Sequence, residues 1–341
     1  MMKADWFENN FEFSVIFTAL AAVSLLFLIA FIIEAVMLFV RNRDRKVNNT
    51  REYGRDKMGN GYMQTDALTN QSEVGKSAVE VSLPAGIQIG ISSKKGTRKY
   101  QQDSIVAMDS KTLNDLNSKK CIAVLCDGMG GMEGGELASA ATAKTLYLDY
   151  CQMNPQNIPS FFVNEVKKLD DIVCNLRDSN NRVMDSGSTL VCAVIEDGLL
   201  YWVSVGDSRI YILRNNEMVQ ITTDHNYYSV LKNRVKQGLI SQADAENDPR
   251  KEALISYIGI GKDSEIGFNE KAIRLENGDM IHLCSDGLFK TLSEAEIASI
   301  AFNYRNNAEI AAEKLTDAAI QKKRRGQDNT SVALILFNGK P

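Results

Sequence analysis

Four aspartates stand at the edges of apolar runs, each beside a glycine or another turn former: Asp127-Gly128, Gly206-Asp207, Asp286-Gly287 and Asp328-Asn329. A carboxylate at a strand end is presented at the rim of a sheet. A neighbouring glycine lets the backbone carbonyl turn toward the same point. Hard divalent cations such as Mg2+ and Mn2+ take such all-oxygen ligation from carboxylates, carbonyls and water. A single Asp-Gly is an ordinary β-turn, but four such corners in one chain make a candidate metal centre. The glycines between residues 128 and 135 also invite comparison with a phosphate-cradling P-loop. No Gly-Lys-Ser/Thr follows them, and Asp127 would meet phosphate with like charge unless a metal lay between.

Other reactive side chains point elsewhere. The six cysteines, Cys121, Cys126, Cys151, Cys174, Cys192 and Cys284, form no CxxC pair and have no histidine at zinc spacing. Three lie in apolar runs and read as small buried hydrophobes of a reducing compartment. The two histidines, His225 and His282, read as structural. With 44% hydrophobic and 24% charged residues and a formal net charge of -4, the chain has no basic footprint for nucleic acid.

The elements that must position the aspartates begin near Gly86. Apolar runs bounded by turn residues predict strands at Ile87–Ser92, Cys121–Cys126, Thr189–Glu196, Leu199–Val205, Arg209–Arg214, Met218–Thr222, Met280–Cys284 and Ser331–Phe337. Asp197-Gly198, Gly206-Asp207 and Asn215-Asn216 read as hairpin turns. Helices are predicted over Glu133–Tyr150, with Leu137, Ala138, Ala141, Leu146 and Leu148 as its apolar residues, and over Tyr227–Gln237 and Ala308–Lys322. Another opens on the capping box Ser293-Glu294-Ala295-Glu296. Antiparallel meanders with helices grouped around them predict an α+β layered sandwich.

Seven motifs in order resemble one family. Asp127-Gly128-Met129-Gly130-Gly131 is similar to the DGxGG signature of the PPM, or type 2C, protein phosphatases. Residues 96–103, Gly-Thr-Arg-Lys-Tyr-Gln-Gln-Asp, resemble that family's G-x-R-x-x-N-[EQ]-D motif. Ser186-Gly187-Ser188-Thr189, Val205-Gly206-Asp207-Ser208-Arg209, Asp224-His225, Cys284-Ser285-Asp286-Gly287-Leu288 and Gly326-Gln327-Asp328-Asn329-Thr330 complete the set. The resemblance spans about residues 86–338. It implies a β-sandwich of antiparallel sheets flanked by helices, with two Mg2+ or Mn2+ ions at one rim. By resemblance Asp127 bridges both ions, the Gly128 carbonyl ligates one, and Asp286 and Asp328 complete the other's shell. Asp103 holds metal-bound water, Arg98 grips the substrate phosphate, and Asp207 helps bind a third, weaker ion. Residues 226–259 correspond to a flap that influences substrate choice.

The charge arithmetic agrees with this expectation. Asp127, Asp286 and Asp328 bring three negative charges to two divalent cations, which leaves the site positive enough to attract a phosphate ester. Water bridging two metals about 3.5–4 Å apart is acidified and can attack in line. Arg98 suits the phosphate because its fork matches two oxygens. The expected activity is direct hydrolysis of phosphoserine and phosphothreonine in proteins, without a covalent phosphoenzyme. The rival reading is a catalytically silent, membrane-tethered phosphoprotein-binding scaffold. Two departures stand out: Gln101 replaces the family's usual Asn, and Met129 stands where many eukaryotic members carry His.

The first 85 residues read differently. Phe13–Ile33 alone supplies enough apolar residues for a membrane span, which needs about 20. The expected organisation is an extracytoplasmic N-terminus over 1–12, a transmembrane helix over 13–40, a flexible linker over 41–85 and the phosphatase-like domain over 86–341. The flank Arg41, Arg43, Arg45 and Lys46 places the domain on the cytoplasmic side, and Glu34 reads as an interfacial residue. The linker's polar composition gives a reach of roughly 35–40 Å. Phosphorylated proteins at that membrane, a Ser/Thr kinase and its substrates among them, are the expected partners.

Overall fold

The computed structural model describes residues 86–108, 120–130, 134–261 and 264–339. The expected span, linker and Glu34 lie outside them. Among the described residues no helix is long and apolar enough to cross a membrane.

Two antiparallel sheets form the centre. The first runs in the order β1 (Gly86–Lys94), β12 (Thr330–Asn338), β11 (Asp279–Cys284), β7 (Arg209–Arg214), β8 (Glu217–Gln220). The second runs β10 (Ile273–Arg274), β6 (Leu199–Val205), β5 (Leu190–Glu196), β3 (Lys120–Gly130), β2 (Asp103–Ala107), with β4 (Ser186–Ser188) on the end of β3 and β9 (Gly267–Phe268) on β6. Leu125, Val191, Ile281, Leu283 and Ile335 fill the space between the sheets. Helices α1 (Gly134–Met153) and α2 (Ile158–Cys174) cover the outer face of the second sheet, where Leu146, Phe162 and Leu169 pack with Ile122 and Val124. Helices α6 (Glu294–Asn303) and α7 (Ala308–Gln321) cover the first, with Ile297 and Leu315 on Leu334 and Leu336. Shorter helices α3 (Tyr227–Lys236), α4 (Gln242–Asn247) and α5 (Asp286–Phe289) sit in connections.

The layers explain the sequence pattern. Side chains alternate across a strand, so Cys121, Ala123 and Leu125 face the other sheet while Ile122, Val124 and Cys126 face the helices. Strands buried on both faces need continuous apolar runs. Each Leu or Ile fully buried this way contributes about 1.5–3 kcal/mol. The hairpins at Asp197-Gly198 and Asn215-Asn216 form as expected, each with both residues at positive φ, from 50° to 74°. The Ser293–Glu296 capping box is present.

Three expectations are corrected, and one element is added. Gly206-Asp207 is no hairpin: β6 and β7 belong to different sheets, and the turn carries the chain across the sandwich. Strand β3 does not stop before Asp127 but continues to Gly130, paired first with β2 and then with β4. The buried face of α1 is Ala138, Thr142, Ala143, Leu146 and Tyr150, whereas Leu137 and Leu148 are exposed; small residues let this helix approach the sheet closely. Helix α2 was not anticipated, although Asn157 caps it by accepting the Ser160 N–H and Pro159 sits in its first turn.

Candidate functional site

Arg98, Asp127, Gly128, Asp207, Asp286 and Asp328 line one cleft of about 330 Å3, together with Met129, Thr189, Glu252 and Lys290. Both sheets contribute. Asp127 comes from the C-terminal part of β3, Asp286 from two residues past the end of β11, Asp328 from two residues before β12, and Asp207 from the crossover. Asp103 is buried behind the cleft, directly opposite Asp127 in the β2–β3 pair. A larger groove of about 530 Å3 along α6 and α7, lined by Leu292, Ile300 and Ala318, holds none of the expected residues.

Backbone and hydroxyl bonds fix Asp127 and Asp103, and close glycine packing shapes the approach to Asp127 and Asp286. The Asp127 N–H donates to Thr189 Oγ1 at 2.9 Å and its carbonyl accepts the Thr189 N–H at 2.8 Å, while Thr189 Oγ1 and Ser208 Oγ lie 2.8 Å apart. A Cβ on Gly128 would lie 1.9 Å from the Gly135 carbonyl oxygen, so only glycine fits where α1 starts against β3. Asp286 opens α5, and its neighbour Gly287 faces the Asn329 carbonyl at a Cβ distance of 2.0 Å. Ser285 Oγ donates to Asp103 Oδ2 at 2.8 Å and accepts the Ser331 N–H at 3.0 Å, tying the two sheets behind the site.

Asn329 straps down the loop carrying Arg98. Its Nδ2 donates to the carbonyls of Lys95 and Tyr100 at 2.8 and 3.0 Å, and its Oδ1 accepts the Gln102 N–H at 2.8 Å. The Thr97 N–H adds a bond to the Gln327 carbonyl at 2.9 Å. Gln101 donates to Ser93 Oγ at 2.7 Å and accepts the Asp103 N–H at 3.2 Å, so this departure still supports Asp103.

The electrostatics are dominated by crowded carboxylates. Burial and then the charges of Asp103 and Asp286 hold the Asp127 carboxyl well above the usual range. Burial pushes Asp103 up to about 6, opposed by its serine hydrogen bonds and reinforced by Asp286 and Asp328. Asp207 also reaches about 6, through burial and then Asp286, with Lys290 pulling the other way. Counter-charges come from two side chains. Arg98 Nη2 lies 2.5 Å from Asp328 Oδ2, and Lys290 Nζ lies 2.7 Å from Asp286 Oδ2.

These residues suit hard divalent cations. The donors are all oxygen, they repel one another, and the buried Asp103 Oδ1 and Asp286 Oδ1 have no hydrogen-bond partner. Among the described residues no three His, Cys, Asp or Glu side chains converge tightly on a single point. Asp328 leans instead to Arg98 and Asp286 to Lys290. At Asp207, expected to help bind a third ion, the Lys290 ammonium lies 3.7 Å from Oδ2.

Lys290, Glu252 and Asn329 were missed as functional positions. Lys290 follows Asp286 by four residues, a spacing that brings side chains together only if that stretch is helical. The histidines are structural, as expected. His225 Nδ1 accepts the Gly206 N–H at 3.1 Å, and His282, fully buried in β11, is pushed down to about 4 by burial. Cys121, Cys126, Cys192 and Cys284 are buried thiols, with Cys121 pushed up to about 12 by burial.

Residues 87–237 match the family described as Protein phosphatase 2C. The serine/threonine phosphatase stp of Listeria innocua is 29% identical over 234 residues, covering 67% of this chain and 90% of the relative. The protein phosphatase PhpP of Streptococcus pneumoniae is 30% identical over 223 residues, covering 64% and 87% respectively. Among solved structures, the serine/threonine phosphatase of S. agalactiae superposes with a TM-score of 0.63 at 26% identity, over 74% of this chain and 99% of that one. The catalytic domain of PstP, solved with two manganese ions, has the same fold, with a TM-score of 0.58 at 22% identity over 74% and 99%. Motif order, sandwich and carboxylate cleft thus meet in one lineage, and this chain belongs to the protein phosphatase 2C family of metal-dependent protein serine/threonine phosphatases.

Proposed function

We propose that the cleft holds two divalent cations, Mg2+ or Mn2+, on Asp127, the Gly128 carbonyl, Asp286 and Asp328, and hydrolyses phosphoserine and phosphothreonine in proteins directly. The observation that carries this reading is the convergence of those carboxylates with Arg98, from both sheets, on one cleft. When bound, such cations lower the pKa of water and offset the charge of a phosphoryl group.

The chain's own residues do the rest. Arg98 stands at the mouth with 58% of its side chain accessible and uses one amino group on Asp328, leaving its other donors for phosphate oxygens. Its loop is held by Asn329, so the guanidinium is placed before substrate arrives. Asp103, held by Ser285 and Gln101, backs Asp127 and accepts a proton or a water hydrogen bond beneath the cleft. Thr189 and Ser208 spend their hydroxyls on one another and on Asp127, and Cys126 and Cys284 are buried, which favours direct attack by water over a covalent intermediate. The PstP catalytic domain, like in fold, carries two manganese ions, which supports the count of two.

The setting is read from sequence. The apolar run over 13–40 and its basic flank support a single-pass anchor with the domain on the cytoplasmic side, the polar stretch over 41–85 supports a tether, and phosphoproteins near that membrane, a Ser/Thr kinase among them, are the proposed substrates. Residues 226–259 are proposed as the flap over the cleft. A silent scaffold is disfavoured, because Asp127, Asp207, Asp286 and Asp328, the carboxylates expected to hold metal, all line the cleft.

The test is phosphate release from a phosphothreonine peptide by the full chain as Mn2+ or Mg2+ is titrated in. Release should require metal and fall about 1000-fold or more in Asp127→Asn and Asp286→Asn. Metal binding with no release from several phosphopeptides would favour the scaffold instead.

A further inference from the structure

Lys290 is a cation built into the site. Its Nζ lies 2.7 Å from Asp286 Oδ2, 3.4 Å from Glu252 Oε2 and 3.7 Å from Asp207 Oδ2. One of these carboxylates, Asp207, is where a third metal ion was expected. The backbone leaves Lys290 little choice of position. It closes α5, its N–H donates to the Asp286 carbonyl at 2.9 Å, and its own carbonyl accepts from Arg324 Nη1.

The geometry points to Lys290 as the resident cation of the Asp207–Asp286–Glu252 corner, so that this chain takes two divalent ions and excludes a third. The inference rests on the two-cation reading above and goes beyond it. An ammonium offers three donors, enough for one oxygen from each of three carboxylates, and it neutralises part of the charge that would otherwise recruit a metal. A divalent ion entering the same corner would meet the ammonium at contact distance and would have to expel it. Asp286 divides its two oxygens accordingly. Oδ2 serves Lys290, and Oδ1, buried and unpartnered, is left for the two-ion centre.

The consequence is a different stoichiometry and a different metal response. Where a third ion binds weakly, its occupancy follows cation concentration; an ammonium is present at every concentration. Activity of this chain should therefore saturate once the first two ions are bound.

The experiment counts Mn2+ bound per chain by equilibrium dialysis of the full protein, with free Mn2+ read by electron paramagnetic resonance, into the millimolar range. The parent and Lys290→Arg are expected to bind two ions, and Lys290→Gln a third with millimolar affinity. Cooperative thermal melting of each protein checks that it is folded. Three ions on the parent would overturn the inference, whatever the variants do. So would two ions on a folded Lys290→Gln, and if inorganic phosphate then bound that variant less tightly, Lys290 would be a phosphate ligand instead. A folded parent that binds no Mn2+ would sink the two-cation reading itself, and this inference with it.

Discussion

On the Arg98 side of the cleft, the loop from Lys95 to Gln102 is fastened by three bonds from one side chain, Asn329, and by backbone pairing of Thr97 with Gln327. On the opposite side, residues 226–261 reach the cleft through Glu252 and Leu254 and are held mainly at their ends. Tyr227 pairs with Ala253, Ile258 with Ser188, and the Gly259 N–H donates to Asp170 Oδ1 at 2.7 Å. Between those anchors Leu239 is 66% exposed. On the proposed reading the fixed wall addresses the phosphate, which every substrate shares, and the lightly held wall addresses the part of the substrate that differs.

Glycines give the widest separation between the two. Gly128→Ala should cost about 3 kcal/mol or more in urea unfolding, since its Cβ would collide with the Gly135 backbone at 1.9 Å. Gly238→Ala, at φ 72° with nothing within 4 Å, should cost about 1 kcal/mol. Equal costs would erase the distinction.

Next in size is the strap. Asn329→Ala should lower kcat about 100-fold by releasing the Arg98 loop, and Arg98→Lys should raise KM because a point charge replaces a fork. An unchanged kcat in Asn329→Ala would mean that the loop holds itself.

A smaller effect concerns the floor that both walls share. Asp103 and Asp207 sit near 6 when folded, against an ordinary value of 3.8. The folded chain therefore binds more protons than the unfolded chain between about pH 4 and 6. Chelated protein should lose stability as pH rises through that window, with the raised Asp127 adding to the loss. Added Mn2+ should raise the melting temperature more at pH 7 than at pH 5. A flat pH profile in chelator would show that the carboxylates are not in conflict.

Smallest of all, Glu252→Gln on the lightly held wall should change kcat/KM by about threefold between phosphopeptides of different sequence, a difference of about 0.7 kcal/mol. A uniform change across peptides would assign Glu252 to the chemistry instead.

Much of this was legible in the sequence. The aspartates at 127, 207, 286 and 328 could be picked out because apolar runs of both-face-buried strands end beside them, and the structure gathers all four. What stayed hidden was non-local. Gly206-Asp207 has the residue chemistry of a hairpin, and only the pairing of β7 with β11 reveals a crossover. Asn329 looks like a turn former until the loop 230 residues upstream is laid against it. Lys290 becomes a neighbour of Asp286 only once α5 is known to be helical. Helix α2 was readable from Asn157, Pro159 and the spacing of Phe162, Val166, Leu169 and Val173, and was overlooked beside stronger motifs.

Strand β12 lies between β1 and β11 and pairs along its whole length with β1, from Gly86↔Asn338 to Lys94↔Thr330. Among the described strands it is also the last in chain order. The β2–β3 pair with Asp103 and Asp127 can assemble early, but Asp328 and the Asn329 strap arrive only with the strand that closes the first sheet. A growing chain thus emerges with the proposed ligand set short of Asp328 and with the Arg98 loop unstrapped. On the proposed reading the cleft is complete only after a pairing that spans more than 230 residues.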